Sequence, residues 1–162
     1  MGRFATILGR RDQDVSGSIL RMLHAGNPPA PDAEGISIAG DPIIKYRIEP
    51  ADLPEASIAL GYSLNKIQPE DPPQPLTQCG YSFIIEGRLW SETGHPTVIT
   101  ASNRLGKDPR KGLNRIVNEG KGPFAMIAHN NRIILGGRDP VGTIPLYFGE
   151  NEDISAMASS MK

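Results

Sequence analysis

Residues 122–148 read GPFAMIAHNNRIILGGRDPVGTIPLYF. Phe124 to Ala128 is an unbroken apolar run, and Arg132 to Leu135 carries a second one after His129-Asn130-Asn131. Two short apolar runs joined by residues that tolerate positive φ predict a tight hairpin. After Gly136-Gly137, Arg138-Asp139-Pro140-Val141-Gly142 supplies a turn, and Leu146-Tyr147-Phe148 returns to a strand. An arginine and a carboxylate in a turn between strands pair most simply with each other or with backbone groups; a binding role is the alternative.

The same alternation of short strand and turn holds upstream. Phe4 to Leu8 reads as a strand. Val15, Ile19, Met22 and Leu23 recur at helical spacing, so a helix is expected over about 16–25, with Ser16 as N-cap and Gly26 as its stop. Residues 27–35, NPPAPDAEG, form a proline-rich loop, and so does KIQPEDPPQPL at 66–76. Ile36 to Ala39 and Ile43 to Ile48 flank Gly40-Asp41-Pro42 and predict a hairpin. Residues 57–62 and Gly80 to Leu89 are further strands, the latter with Tyr81, Phe83 and Ile85 on one face. Residues 97–119 have helical spacing interrupted at Asp108-Pro109, and Ser155 to Lys162 reads as the start of a helix. Strands first, few helices, then strands again is an antiparallel α+β order rather than alternating βαβ units.

The totals restrict the function. The chain has 162 residues, the size of one ordinary domain, with 38% hydrophobic and 22% charged residues. A formal net charge of −1 gives no electrostatic reason to expect nucleic acid or an anionic membrane as partner. No apolar run approaches the ~18 residues of a membrane span. With one cysteine, Cys79, there is no internal disulfide and no cysteine-rich metal site. His24, His95 and His129 have no metal-ligand spacing among them, so no metal is expected. No glycine-rich phosphate loop is present. A cytoplasmic protein is the plain reading, and Cys79 reads as a packed thiol.

Gly122-Pro123-Phe124-Ala125, Arg138-Asp139-Pro140-x-Gly142, Pro145-Leu146-Tyr147 and Ala158-Ser159-x-Met161-Lys162 occur in order. Together they resemble the end of the glutamine-amidotransferase domain of asparagine synthetases. Met1 to Gly9 is similar to that family's opening strand, Val15 to His24 to its first helix, and Pro31-Asp32-x-x-Gly35 to its Gly-Pro-Asp-Gly loop. The resemblance implies the N-terminal-nucleophile (Ntn) hydrolase fold, a four-layer αββα sandwich of two antiparallel sheets. It implies a domain over residues 1–162 that forms the N-terminal part of a longer chain. The partner implied is an ATP-pyrophosphatase-type synthetase domain, in cis or in trans, although that domain's Ser-Gly-Gly-x-Asp-Ser loop is absent here. It leaves room for a homodimer and calls for no cofactor in this domain.

Active members of the family hydrolyse glutamine with an N-terminal cysteine, whose thiolate attacks while its own α-amine serves as base. In this chain Gly2 occupies that position and has no side chain. Where the family has an Asn-Gly pair that holds the oxyanion, this chain has Glu86-Gly87, and an ionised carboxylate cannot donate. Arg88 stands in place of the next residue, a glutamate in the family. The stretch Gly61-Tyr62-Ser63-Leu64-Asn65 lacks the arginine that clamps the substrate carboxylate, and the aspartate for the substrate ammonium falls near His95. The resemblance therefore implies a degenerate substrate site at Glu86, Gly87, Arg88 and His95, no catalytic residue, and a structural motif at Arg138, Asp139 and Gly142. Glu86 and Arg88, two apart at a strand end, are expected to leave one face and pair with each other. Three readings stay open: a non-hydrolysing domain beside a synthetase domain, a free-standing small-molecule-binding or regulatory module, and a hydrolase whose cysteine has been replaced.

Overall fold

Most of the strands carry apolar residues toward both of their faces, which requires a layer on either side. The structure, a computed structural model, describes residues 2–25, 30–38, 41–66, 71–90 and 97–161. Its strands are β1 (Arg3–Gly9), β2 (Ala33–Ile38), β3 (Asp41–Lys45), β4 (Ile58–Leu64), β5 (Leu76–Gln78), β6 (Tyr81–Gly87), β7 (Phe124–His129), β8 (Ile134–Arg138), β9 (Tyr147–Glu150) and β10 (Ile154–Ala158). Its helices are α1 (Ser16–His24), α2 (Thr97–Leu105) and α3 (Pro109–Glu119). One sheet has the order β3-β2-β4-β1-β10-β9 and the other β5-β6-β7-β8, with every pairing antiparallel.

Three apolar layers hold the sandwich together. Ala5, Ile7, Ile36, Ile38 and Ala59 face Ile19, Leu20 and Leu23 of α1. Phe83, Ile85, Phe124 and Met126 face Val98, Leu105, Leu113 and Ile116 of α2 and α3. The intervening residues Phe4, Leu60, Tyr62, Leu64, Ile84, Ala125 and Ile127 meet between the sheets. The result is the expected four-layer αββα arrangement, and residues i and i+2 separate its layers by strand parity.

Three local expectations are corrected. Residues 154–158 form a strand, not a helix start: β10 pairs with β1 from Ala5↔Ala158 to Gly9↔Ile154. β1 is central and needs a second partner, so ladder bonding overrides local helix propensity. Ser16 is the first helical residue rather than the N-cap; its N–H donates to Asp14 Oδ1 at 3.1 Å. Cys79 is exposed at the β5–β6 turn with φ 50°, followed by Gly80 at 76°, because a two-residue hairpin tip turns its side chains to solvent. The break at 106–108 is as expected: Gly106 adopts φ 62°, Asp108 accepts from the Lys111 N–H, and Pro109 opens α3. Gly26 lies outside the described residues.

A chain of hydroxyls crosses the sandwich. Ser37 of β2 donates to Ser82 Oγ of β6 at 2.7 Å, and His129 Nε2 of β7 lies 3.2 Å from Ser37 Oγ. Burial lowers the His129 imidazole from 6.5 to about 4, the Asn130 carbonyl opposing only in part. The unfolded chain thus takes up this proton near 6.5 and the folded chain only near 4, so stability is complete above 6.5 and is lost as pH falls toward 4. Urea titrations of wild type and His129→Gln should differ by a pH-dependent component of about 2 kcal/mol between pH 7 and 5. Parallel pH profiles would mean that His129 takes its proton in the folded state as easily as in the unfolded one.

Candidate functional site

The N-terminal end of β1 brings the first residues against β4, with Arg3 opposite Ser63 and Phe4 opposite Tyr62. Tyr62 lies on the inter-sheet face of β4, and Glu86 lies on the inter-sheet face of β6 next after Ile84. Both are buried, at 4% and 6% exposure. The Tyr62 hydroxyl donates to Glu86 Oε2 at 2.6 Å, and the Gly2 N–H donates to Glu86 Oε1 at 3.3 Å. One carboxyl group therefore joins the start of β1, the middle of one sheet and the end of a strand in the other. A Cβ placed on Gly2 would fall 2.7 Å from Cε2, Cζ and Oη of Tyr62. The aromatic ring occupies the space where a side chain at residue 2 would begin. Burial first, then the charge and hydrogen bond of Glu86, push the Tyr62 hydroxyl far above its ordinary range and keep it a donor.

Gly87 ends β6 with φ 95°, and a Cβ there would lie 2.2 Å from the Pro123 carbonyl oxygen. Only glycine suits this position. The strand geometry stops here, so the expectation that Glu86 and Arg88 share a face and pair is corrected. Arg88 Nη1 lies 3.6 Å from Asp71 Oδ1 and donates to the Gly87 carbonyl at 3.1 Å. His95 lies outside the described residues. The Gln74 side chain brackets the residue before Glu86, accepting from the Ile85 N–H at 2.8 Å and donating to the Ile85 carbonyl at 3.0 Å. Tyr62, Asp71 and Gln74 carry no motif. Tyr62 has one legible signal, its inward parity with Leu60 and Leu64 along β4. Among the described residues no group of three His, Cys, Asp or Glu side chains gathers as a metal site.

The Arg138-Asp139 turn is built by Asp139 alone. Its Oδ1 accepts from the N–H groups of Val141 at 3.1 Å, Gly142 at 3.0 Å and Thr143 at 3.3 Å, while Oδ2 accepts from Phe124 N–H at 3.2 Å. Arg138 is exposed and makes no ion pair with Asp139 among the described residues. Its guanidinium lies over Gly142, where a Cβ would stand 3.1 Å from Arg138 Cζ. Of the two partners expected for Asp139, the backbone is the one it takes. Because Phe124 pairs with Gly87, the turn braces the strand next to Glu86. Burial pushes the Asp139 carboxyl up, but the hydrogen bonds from Thr143, Phe124 and Gly142 outweigh it and hold it below the usual range.

No protein-family model and no curated protein matches the chain. Among solved structures it is similar to a glutamine phosphoribosylpyrophosphate (PRPP) amidotransferase from B. subtilis, complexed with ADP and GMP. The TM-score is 0.72 at 18% identity over 98% of this chain. The likeness covers 42% of that protein's chain. It agrees with the two-sheet Ntn-hydrolase-like sandwich described above.

Asp139→Ala should destabilise the fold by about 1.5–3 kcal/mol, because it strips a buried charged acceptor from several N–H groups. Arg138→Ala should change stability by less than about 1 kcal/mol, as for an exposed residue. The wild-type advantage over Asp139→Ala is present above the ordinary carboxyl range and shrinks as pH falls through the lowered folded-state value. Thermal melts at pH 7 and pH 3 check both statements, and equal melting temperatures for Asp139→Ala and wild type at pH 7 would remove Asp139 from its bracing role.

Proposed function

We propose that this chain is a glutamine-amidotransferase-like domain, related to the N-terminal domain of asparagine synthetases, that does not hydrolyse glutamine and serves a structural or regulatory role. The observation that carries the reading is the Tyr62 ring 2.7 Å from a Cβ on Gly2, held there by Glu86. A nucleophile needs a side chain at that residue and open space beside it for the substrate carbonyl. Here the start of that side chain meets an aromatic ring whose hydroxyl is fixed at 2.6 Å to a buried carboxyl. Glu86 also presents acceptor oxygens where an oxyanion would need donors. The reading of an otherwise intact hydrolase with its cysteine exchanged fits less well, because one exchange does not explain the Tyr62–Glu86 bond.

In this proposal the domain needs no cofactor and works in the cytoplasm beside an ATP-dependent synthetase domain, in cis or in trans. The order of the Arg138-Asp139-Pro140-x-Gly142 and Ala158-Ser159-x-Met161-Lys162 motifs supports that relation. The match to 42% of a longer chain is compatible with a further domain. The altered residues Glu86, Gly87 and Arg88 then close the former substrate site and tie its walls together.

Purified protein should release no ammonia from glutamine above the blank. Gly2→Cys should stay at the blank as well, since loss of even one oxyanion donor costs ~100–1,000-fold and Tyr62 still crowds the thiol. Ammonia release that scales with the amount of Gly2→Cys protein, at a rate ordinary for a glutaminase, would reverse the proposal in favour of a replaced cysteine.

A further inference from the structure

The two sheets have four edges, and three of them are protected against pairing with another chain. β3 carries Pro42 and ends in Lys45, and β5 is only three residues long. β8 ends in Arg138, and its glycines lie against other elements: a Cβ on Gly136 would meet Met157 and one on Gly137 would meet Val117 of α3. β9 is also short and ends in a charge, Glu150, but unlike β3 it holds no proline, and unlike β5 and β8 it turns two aromatic side chains to solvent. All four of its residues are exposed, Phe148 at 60% and Tyr147 at 38%. It contains no lysine and no proline, and its single charge, Glu150, is already paired with Arg10 at 3.1 Å.

We propose that β9 is the contact through which a second copy of this chain associates, joining two six-stranded sheets into one across a two-fold axis. The sequence Tyr147-Phe148-Gly149-Glu150 is self-complementary in the register that such an axis allows. With the axis normal to the sheet, facing residues must have the same parity. Centred on Phe148, the pairing sets Phe148 against Phe148 of the second copy and Tyr147 against Gly149, twice. A Cβ on Gly149 would meet nothing within 4 Å in its own chain, so the glycine leaves a bare patch of backbone that a cross-strand tyrosine ring covers. Phe148 stands on the face of Met157, with which it pairs across β9–β10, and on that face the two phenylalanine rings meet at the axis. Charge is compatible too. Each Glu150 faces Leu146 of the second copy and keeps Arg10 of its own chain, so no like charges oppose each other across the axis. The association stands apart from the chemistry around Gly2.

Sedimentation of the 162-residue chain across a wide concentration range should give a reversible monomer–dimer equilibrium. Phe148→Lys puts two ammonium groups at the axis and should weaken dimerisation at least roughly tenfold, with circular dichroism and melting of the monomer retained. Gly149→Asp gives an independent variant: its side chain has free space within the monomer, but across the axis its carboxylate would be desolvated beneath the Tyr147 ring, and it should also weaken the dimer. In a Cys79→Ser background, Phe148→Cys should form a covalent dimer on mild oxidation, because facing strand positions at about 4.5–5.5 Å between Cα atoms suit a disulfide. A wild-type chain that stays monomeric at every concentration overturns the assignment of a second copy and leaves the edge to another occupant. A dimer that Phe148→Lys and Gly149→Asp leave undiminished, or that does not cross-link at residue 148, overturns the assignment to β9.

Discussion

Burying both faces of two sheets excludes water from the layer between them, so any polar group that enters that layer must find a partner across the gap. The inner layer meets this demand with a few ties between sheets. Tyr62 of one sheet bonds Glu86 of the other, and Ser37 bonds Ser82 with His129 beside it. Each tie costs desolvation and returns it through short, directional bonds. Their weight lies in registry more than in net stability. Apolar packing alone would let the sheets slide; a hydroxyl that must meet one carboxyl does not.

The Glu86 tie has the further property of sitting at the end of β1. A carboxyl group buried with only one donor would be costly, and the Gly2 N–H provides a second. This couples the start of β1 to the core. Gly2 must lack a side chain for that contact and for the Tyr62 ring to coexist. Glycine, tyrosine and glutamate at these positions form one mutually dependent set. A set of this kind is expected when a cleft is closed by packing rather than left empty after loss of a single group.

The Asp139 turn acts on the same region from behind. Its carboxyl group gathers N–H groups from 141–143 and from Phe124, while the Asp139 N–H donates to the Phe124 carbonyl at 2.9 Å. Phe124 is paired with Gly87, and Arg88 N–H reaches the Pro123 carbonyl at 2.7 Å. A surface turn thereby sets where β6 stops and where Arg88 departs. Arg138 contributes none of this bonding. The pairing suggested by its neighbour in sequence yields to the stronger claim that unpaired N–H groups make on a buried carboxylate.

Much of the fold was legible in the residues because its signals are local. Apolar runs cut by glycine and proline marked β1, β4, β6 and β7, and spacing with Asp108-Pro109 marked α2 and α3. The Arg138 to Tyr147 motif, with its counterparts upstream, pointed to the two-sheet sandwich. At the candidate site, the same residues showed that Gly2 offers no side chain and that Glu86 stands beside Gly87. They did not show what those residues touch. Ile154 to Ala158 became a strand because β1 required a ladder partner more than 140 residues away in sequence, a demand that no local window contains. Arg88 turned toward Asp71 because Gly87, at φ 95°, ends the extended geometry that would have kept Arg88 on the face of Glu86. Tyr62 came to fill the space beside Gly2 because strand parity and sheet stacking aimed it there. Residue types and their order determined the elements; only the packing of two sheets against each other decided which side chains meet, since that depends on register between segments far apart in the chain.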